Sequence, residues 1–184
     1  MDWRTSRETR ASQSKPKTIR RWVPPEDGWV KINSDGAVSR HDDKGGGGAV
    51  LRDHNATFVA GSCHFFPNVT DPEMAEVLAC KKAVRLAMDH DIRRAHVEVD
   101  CLALVQKLNN QERDFSTVGP WVQEIKMMLR SMEEAKVTWI RRSGNVAAHN
   151  LARVGVGENR SEVWVGSPPD FILHVISDDI PSFG

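Results

Sequence analysis

Three carboxylates in this chain are placed where they could work together. Asp35 closes an alternating strand pattern in Ile32-Asn33-Ser34-Asp35-Gly36-Ala37, with a glycine directly behind it. Glu76, in Ala75-Glu76-Val77-Leu78-Ala79, falls early in an amphipathic helix pattern, and Asp100 ends the strand pattern His96-Val97-Glu98-Val99-Asp100. Carboxylates delivered from separate elements suit a hard divalent cation, which takes oxygen ligands and retains several waters. Two such cations ~3.5–4 Å apart can stabilise both the attacking and the leaving oxygen when a phosphodiester is hydrolysed. Taken singly, each acid has an ordinary explanation: a solvated helix glutamate for Glu76, a helix N-cap for Asp100 and a turn residue for Asp35.

The elements that must carry these acids can be read from apolar periodicity. Val30, Ile32 and Ser34 alternate with Lys31, Asn33 and Asp35, the period of a strand. Residues 48–52 and 57–62 flank the polar turn sequence Asp53-His54-Asn55-Ala56 and predict a hairpin. Thr70-Asp71-Pro72-Glu73 joins a capping residue, an early proline and a glutamate three positions after Thr70, so a helix should start there and run to about His90. A fourth strand over 94–100 passes into a short helix carrying Leu102, Val105 and Leu108. Pro120 then opens a second amphipathic helix that ends near Glu133-Glu134. Val137-Thr138-Trp139-Ile140 predicts a fifth strand and residues 145–154 a last helix, which together make a mixed α/β sheet.

With 184 residues, of which 40% are hydrophobic, the chain can build one domain with a good core and extra terminal segments. The apolar segment 158–184, with Trp164 and Phe171-Ile172-Leu173, is expected to pack on that domain. Cys63, Cys80 and Cys101 form no C-x-x-C pair and no disulfide framework, which predicts buried thiols in a reducing intracellular compartment, nuclear or cytoplasmic. The pattern holds no signal peptide and no apolar run of the ~20 residues that would cross a bilayer. Basic and acidic residues balance at 25 each, but unevenly. Residues 1–21 carry Arg4, Arg7, Arg10, Lys15, Lys17, Arg20 and Arg21 against Asp2 and Glu8, net +5, leaving −5 for the remainder. That segment reads as a disordered basic linker, one that could also add salt-sensitive affinity for phosphates.

Strand, helix and strand with one acid each is a layout that resembles type 1 ribonuclease H, and most of all the RNase H-like domains of plants, often attached to reverse-transcriptase-like proteins. The resemblance runs over roughly 22–157. It includes Trp22-Val23-Pro24-Pro25, Gly28-Trp29-Val30-Lys31-Ile32-Asn33, the glycine-rich stretch 45–52, and Arg142-Ser143-Gly144-Asn145-Val146-Ala147-Ala148-His149-Asn150-Leu151-Ala152. It implies a ribonuclease H-like fold with a five-stranded mixed sheet of order 3-2-1-4-5 flanked by helices. It also implies a monomeric, Mg²⁺-dependent endonuclease that hydrolyses the RNA strand of RNA/DNA hybrids, in a chain of retroelement descent.

In that family the positions of Asp35, Glu76 and Asp100 hold metal, with the first-strand Asp bridging two ions. His149 stands where a fourth acid is usual, and its nitrogen shifts the expected preference from Mg²⁺ toward Mn²⁺. The resemblance further implies that Gly46, Gly47 and Gly48 meet RNA 2′-hydroxyls in the minor groove, and that Arg142 and Asn145 either contact phosphate or hold their loop. Trp29, Trp121 and Trp139 read as core. No basic handle helix and no mobile histidine before the last helix are evident. The competing reading is therefore a catalytically weak or inactive module that keeps the fold for nucleic-acid or protein binding.

Overall fold

The computed structural model describes residues 21–180, so all of the basic segment 1–21 except its last residue lies outside the described residues. Three long strands, β1 (Val30–Ser39), β2 (Lys44–Arg52) and β3 (Phe58–Pro67), form an antiparallel meander. α1 (Pro72–Asp89) then crosses to β4 (Arg94–Val99), which pairs in parallel with β1. α2 (Leu102–Asn109) and α3 (Gly119–Arg130) lead to β5 (Glu134–Trp139), parallel to β4. A 3-10 turn (Arg142–Gly144) precedes α4 (Val146–Gly157), and the chain continues into β6 (Glu162–Val165) and α5 (Asp170–Asp178).

The sheet order is β5-β4-β1-β2-β3-β6. The expected order 3-2-1-4-5 is present, and the C-terminal segment adds a sixth strand against β3 as well as a helix. Helices cover both faces. On one face Ile32, Leu51, Val97 and Val99 pack with Val77 and Val84 of α1, Leu104 of α2 and Ile125 of α3. On the other, Val50, Phe58 and Cys63 pack with Leu151 of α4 and with Ile172, Val175 and Ile176 of α5. Adjacent residues Val50 and Leu51 belong to different cores because side chains alternate across a strand. Among the described residues no helix is long and apolar enough to cross a membrane.

Local chemistry accounts for the joints. The Asp53 carboxylate accepts from the amides of Asn55 and Thr57, each at 2.9 Å, an Asx-type turn that closes the β2–β3 hairpin. α1 is capped by Asp71, whose side chain accepts from the Met74 amide at 3.0 Å; the expected cap, Thr70, lies one residue outside. Pro72 then opens the helix, where its missing N–H costs no hydrogen bond.

Asp35 departs from expectation, since it does not end its strand. β1 runs on to Ser39, paired with β2 throughout, while the parallel ladder with β4 stops at the Ser34–Val99 pair. Asp35 therefore stands one residue past the end of β4 pairing, at a notch in the sheet.

The glycine-rich strand also does something other than expected. Gly46, Gly47 and Gly48 are buried within β2, between β1 and β3. A Cβ on Gly46 would lie 2.5 Å from the Val156 amide nitrogen, and one on Gly48 would lie 2.2 Å from the Ala148 carbonyl oxygen, both in α4. On the opposite face a Cβ on Gly47 would lie 2.8 Å from Ala79 Cβ of α1. These three glycines let helices sit directly on the strand, and the helices close them off from any nucleic-acid groove. Gly48→Ala should consequently cost about 2 kcal/mol or more, since the contact it creates is with helix backbone and cannot relax by a side-chain rotation. Urea unfolding of the variant beside the unmodified chain measures this; equal midpoints would show that α4 is not seated as described.

Candidate metal centre

Gly36 is the residue that assembles the site. A Cβ there would lie 2.4 Å from the Ala75 carbonyl carbon and 2.4 Å from the Glu76 amide nitrogen, so the first turns of α1 can rest on β1 only because position 36 is bare. That contact places the Glu76 side chain within reach of the strand, where its Oε2 accepts from the Gly36 amide at 3.1 Å. Asp100 follows the last residue of β4, the strand beside Asp35. One ligand oxygen from each of Asp35, Glu76 and Asp100 lies within 4.8 Å of the others. The sequence signal for Gly36 was its position behind Asp35, but its close approach to α1 was not legible there.

From the opposite face α4 contributes His149. Its Nδ1 lies 2.7 Å from Asp35 Oδ2. His149 does not join the trio of convergent donor atoms; it stands behind Asp35 as a hydrogen-bond partner of one carboxylate oxygen. The other oxygen, Oδ1, is buried with no hydrogen-bond partner, although Asp35 is only 1% exposed. A buried carboxylate oxygen left unpaired is costly, and two further acids converge on the same residue. This arrangement fits a divalent cation.

The electrostatics agree with that fit. Burial, then the Asp100 charge, pushes the Asp35 carboxyl up to about 6, with His149 opposing the rise. Burial, then Asp35 and Asp100, pushes Glu76 up to about 9 despite the Gly36 amide. Like charges this close cannot all ionise in a poorly solvated notch, and a bound cation reverses the balance.

Two residues expected to touch nucleic acid divide. Arg142 is 73% exposed and its Nε donates to Asp100 Oδ2 over a long 3.5 Å, so it stands at the mouth of the site. Asn145 is 2% exposed, and its Nδ2 donates to the Ser34 carbonyl at 2.9 Å. Of the two roles open to it, holding the loop is the one its burial permits. Trp139 is also not core: it is 44% exposed, and its Nε1 donates to the Asp100 carbonyl at 3.1 Å. Trp29 and Trp121 are half-buried.

Residues 33–155 match the sequence profile of the reverse transcriptase-like family. The chain belongs to that family. This RNase H-like domain is 27% identical over 131 residues to a candidate ribonuclease H protein of Arabidopsis thaliana, a match covering 71% of this chain and 21% of that protein. It thus spans about a fifth of that relative's length. Among solved structures, the N-terminal RNase H domain of a Mycobacterium tuberculosis protein superposes with a TM-score of 0.66 at 19% identity, over 71% of this chain and 94% of that one. RNase H1 of Halobacterium salinarum gives 0.60 at 20%, covering 71% and 98%. LC11-RNase H1, solved in complex with an RNA/DNA hybrid, gives 0.62 at 18%, again covering 71% and 98%. At these identities the structures establish the fold.

The raised carboxyls have a consequence for stability. Glu76 ionises near 4.5 when unperturbed and near 9 in the folded protein, so the metal-free fold is favoured below about pH 4.5 and loses that advantage as pH rises toward about 9. Glu76→Gln removes the ionisation. In chelator, thermal melts at about pH 5 and about pH 8 should show a smaller decline for the variant, with its melting temperature at the higher pH raised on the order of 3 °C. Identical slopes for both proteins would show that Glu76 ionises normally.

Proposed function

We propose that this RNase H-like domain is a metal-dependent endonuclease acting on the RNA strand of RNA/DNA hybrids. The observation that carries the reading is the convergence of Asp35, Glu76 and Asp100 within 4.8 Å, with one Asp35 oxygen buried and unpartnered. Family membership and the ribonuclease H name of the Arabidopsis relative support the same substrate, as does the hybrid bound by LC11-RNase H1.

Asp35 Oδ1, Glu76 and Asp100 would hold the cation, expected to be Mg²⁺ or Mn²⁺, which when bound supplies charge stabilisation for phosphodiester hydrolysis. The protein's own groups orient that site. His149 holds Asp35 Oδ2 and so leaves Oδ1 for the cation, while the Gly36 amide steadies Glu76. Arg142 at the mouth offers its guanidinium to a phosphate of the approaching strand. Asn145 pins the start of α4 to the Ser34 carbonyl and so fixes the reach of His149.

The decisive experiment is cleavage of a labelled RNA/DNA hybrid with Mg²⁺ or Mn²⁺, with RNA and DNA duplexes as controls. The RNA strand of the hybrid should be cut, and Asp35→Asn should lower the rate by more than about a hundredfold, beyond what loss of an outer partner costs. His149 lying outside the acidic trio favours one second reading, a module that binds hybrids without cutting them. Binding without cleavage in either metal would establish that reading.

The histidine also sets a metal preference. An imidazole where the family usually has an acid lowers the negative charge around the cation, which should leave the wild-type domain more active with Mn²⁺ than with Mg²⁺. His149→Asp should raise Mg²⁺ activity, and His149→Ala should lower activity in both metals about tenfold or more by freeing the Asp35 carboxylate. Unchanged rates for both variants would place His149 outside the functional site.

A further inference from the structure

Two large apolar side chains near Asp100, Trp139 and Leu102, are exposed. Trp139, the last residue of β5, pairs in register with Val99, and the Ile140 amide donates to the Val99 carbonyl at 3.0 Å. Trp139 is therefore held level with Val99, one residue before Asp100. Its N–H is spent on the Asp100 carbonyl, which fixes the ring's orientation, yet 44% of the residue stays open to water. Leu102, two residues beyond Asp100 on the first turn of α2, is 53% exposed. Arg142, also reaching Asp100, is 73% exposed. Lone exposed apolar residues are common and need no explanation. A tryptophan oriented by the backbone of a candidate metal ligand, with a second apolar residue and an exposed guanidinium bordering the same acid, is a different matter.

We propose that Trp139 is a substrate-binding residue whose ring packs against the sugar of a nucleotide next to the phosphate held at the carboxylates, with Arg142 on the adjoining phosphate. This rests on the hybrid-nuclease reading and extends it. Inside a duplex the bases stack on one another, so a surface indole meets the sugar–phosphate edge. That edge alternates C–H faces with charged phosphate oxygens, and the ring and guanidinium beside Asp100 offer the complementary pair. Aromatic contacts to nucleic acid tolerate any sequence, so this contact would position the strand without selecting bases.

The test uses the full chain and Trp139→Phe and Trp139→Ala variants. Affinity for a fluorescein-labelled RNA/DNA hybrid is measured with Ca²⁺ present, kcat and KM for its cleavage are measured with Mn²⁺, and Mn²⁺ affinity is measured alone by calorimetry. Trp139→Ala should raise Kd and KM about tenfold while kcat changes less than about twofold, the size of effect expected for one aromatic contact. Trp139→Phe, which keeps a ring but loses the bond to the Asp100 carbonyl, should stay within about twofold of wild type. Mn²⁺ affinity should be the same for all three proteins.

Wild-type Kd and KM in Trp139→Ala would overturn the proposal and leave the nuclease reading standing. So would a parallel loss of Mn²⁺ affinity in both variants, which would assign Trp139 to supporting Asp100. Failure of the wild-type chain to bind the hybrid would overturn the nuclease reading, and this inference with it.

Discussion

A helix can lie directly on a strand only where the strand has no side chain beneath it, and the site depends on that constraint twice. Gly36 admits α1 on one face of the sheet and Gly48 admits α4 on the other, with Cβ positions only 2.4 and 2.2 Å from helix backbone. Asp35 is next to Gly36 in sequence and directly opposite Gly48 in the β1–β2 register. The acid is thus flanked from both sides, with Glu76 bonded to the neighbouring Gly36 amide and His149 bonded to Asp35 itself. Any larger residue at either position would lift a helix and separate the groups it carries.

Bringing three carboxylates together has an electrostatic cost that the protein offsets only in part. His149 takes one oxygen of Asp35, the Gly36 amide one of Glu76, and Arg142 one of Asp100, the last at long range. What remains is a buried oxygen without a partner and two carboxyls displaced upward from their usual range. A site left under-neutralised in this way is poised to take up a cation, because the cation completes what the protein's own donors leave unfinished.

The sheet face under α4 and α5 is closed by polar side chains as well as apolar ones. Lys31 and Glu98, 4% and 7% exposed, pair at 2.6 Å. Asn33 accepts from the Trp22 indole, and Arg52 lies 3.7 Å from the centre of the same ring while pairing with Asp179 at 2.7 Å. This cluster ties the segment before β1 and the end of α5 to the sheet. A buried pair of this kind adds little net stability, but removing one partner strands the other charge. Its physical effect is to dictate how the two ends of the described chain dock, which supports the C-terminal addition of β6 and α5.

The sequence by itself determined the elements and the three acids. Period-two and helical patterns located β1 to β5 and α1 to α4, because each element shows its own apolar stripe whatever it packs on. Asp35, Glu76 and Asp100 were legible because their types and order carry the chemistry. Only the tertiary structure decided what depends on neighbours distant in the chain. It showed that Gly46, Gly47 and Gly48 are glycine for the sake of helix contact, a demand invisible until α1 and α4 are seated. It turned Asn145 inward to the Ser34 carbonyl and left Trp139 facing water at the edge of the sheet, although both sat in patterns that allowed the opposite. It also made Glu162–Val165 a sixth strand, since four residues hold too little pattern to declare themselves without β3 to pair with. Composition and periodicity are properties of a segment, whereas burial, register and the partner of a carboxylate oxygen are set by surfaces brought together from elsewhere in the chain.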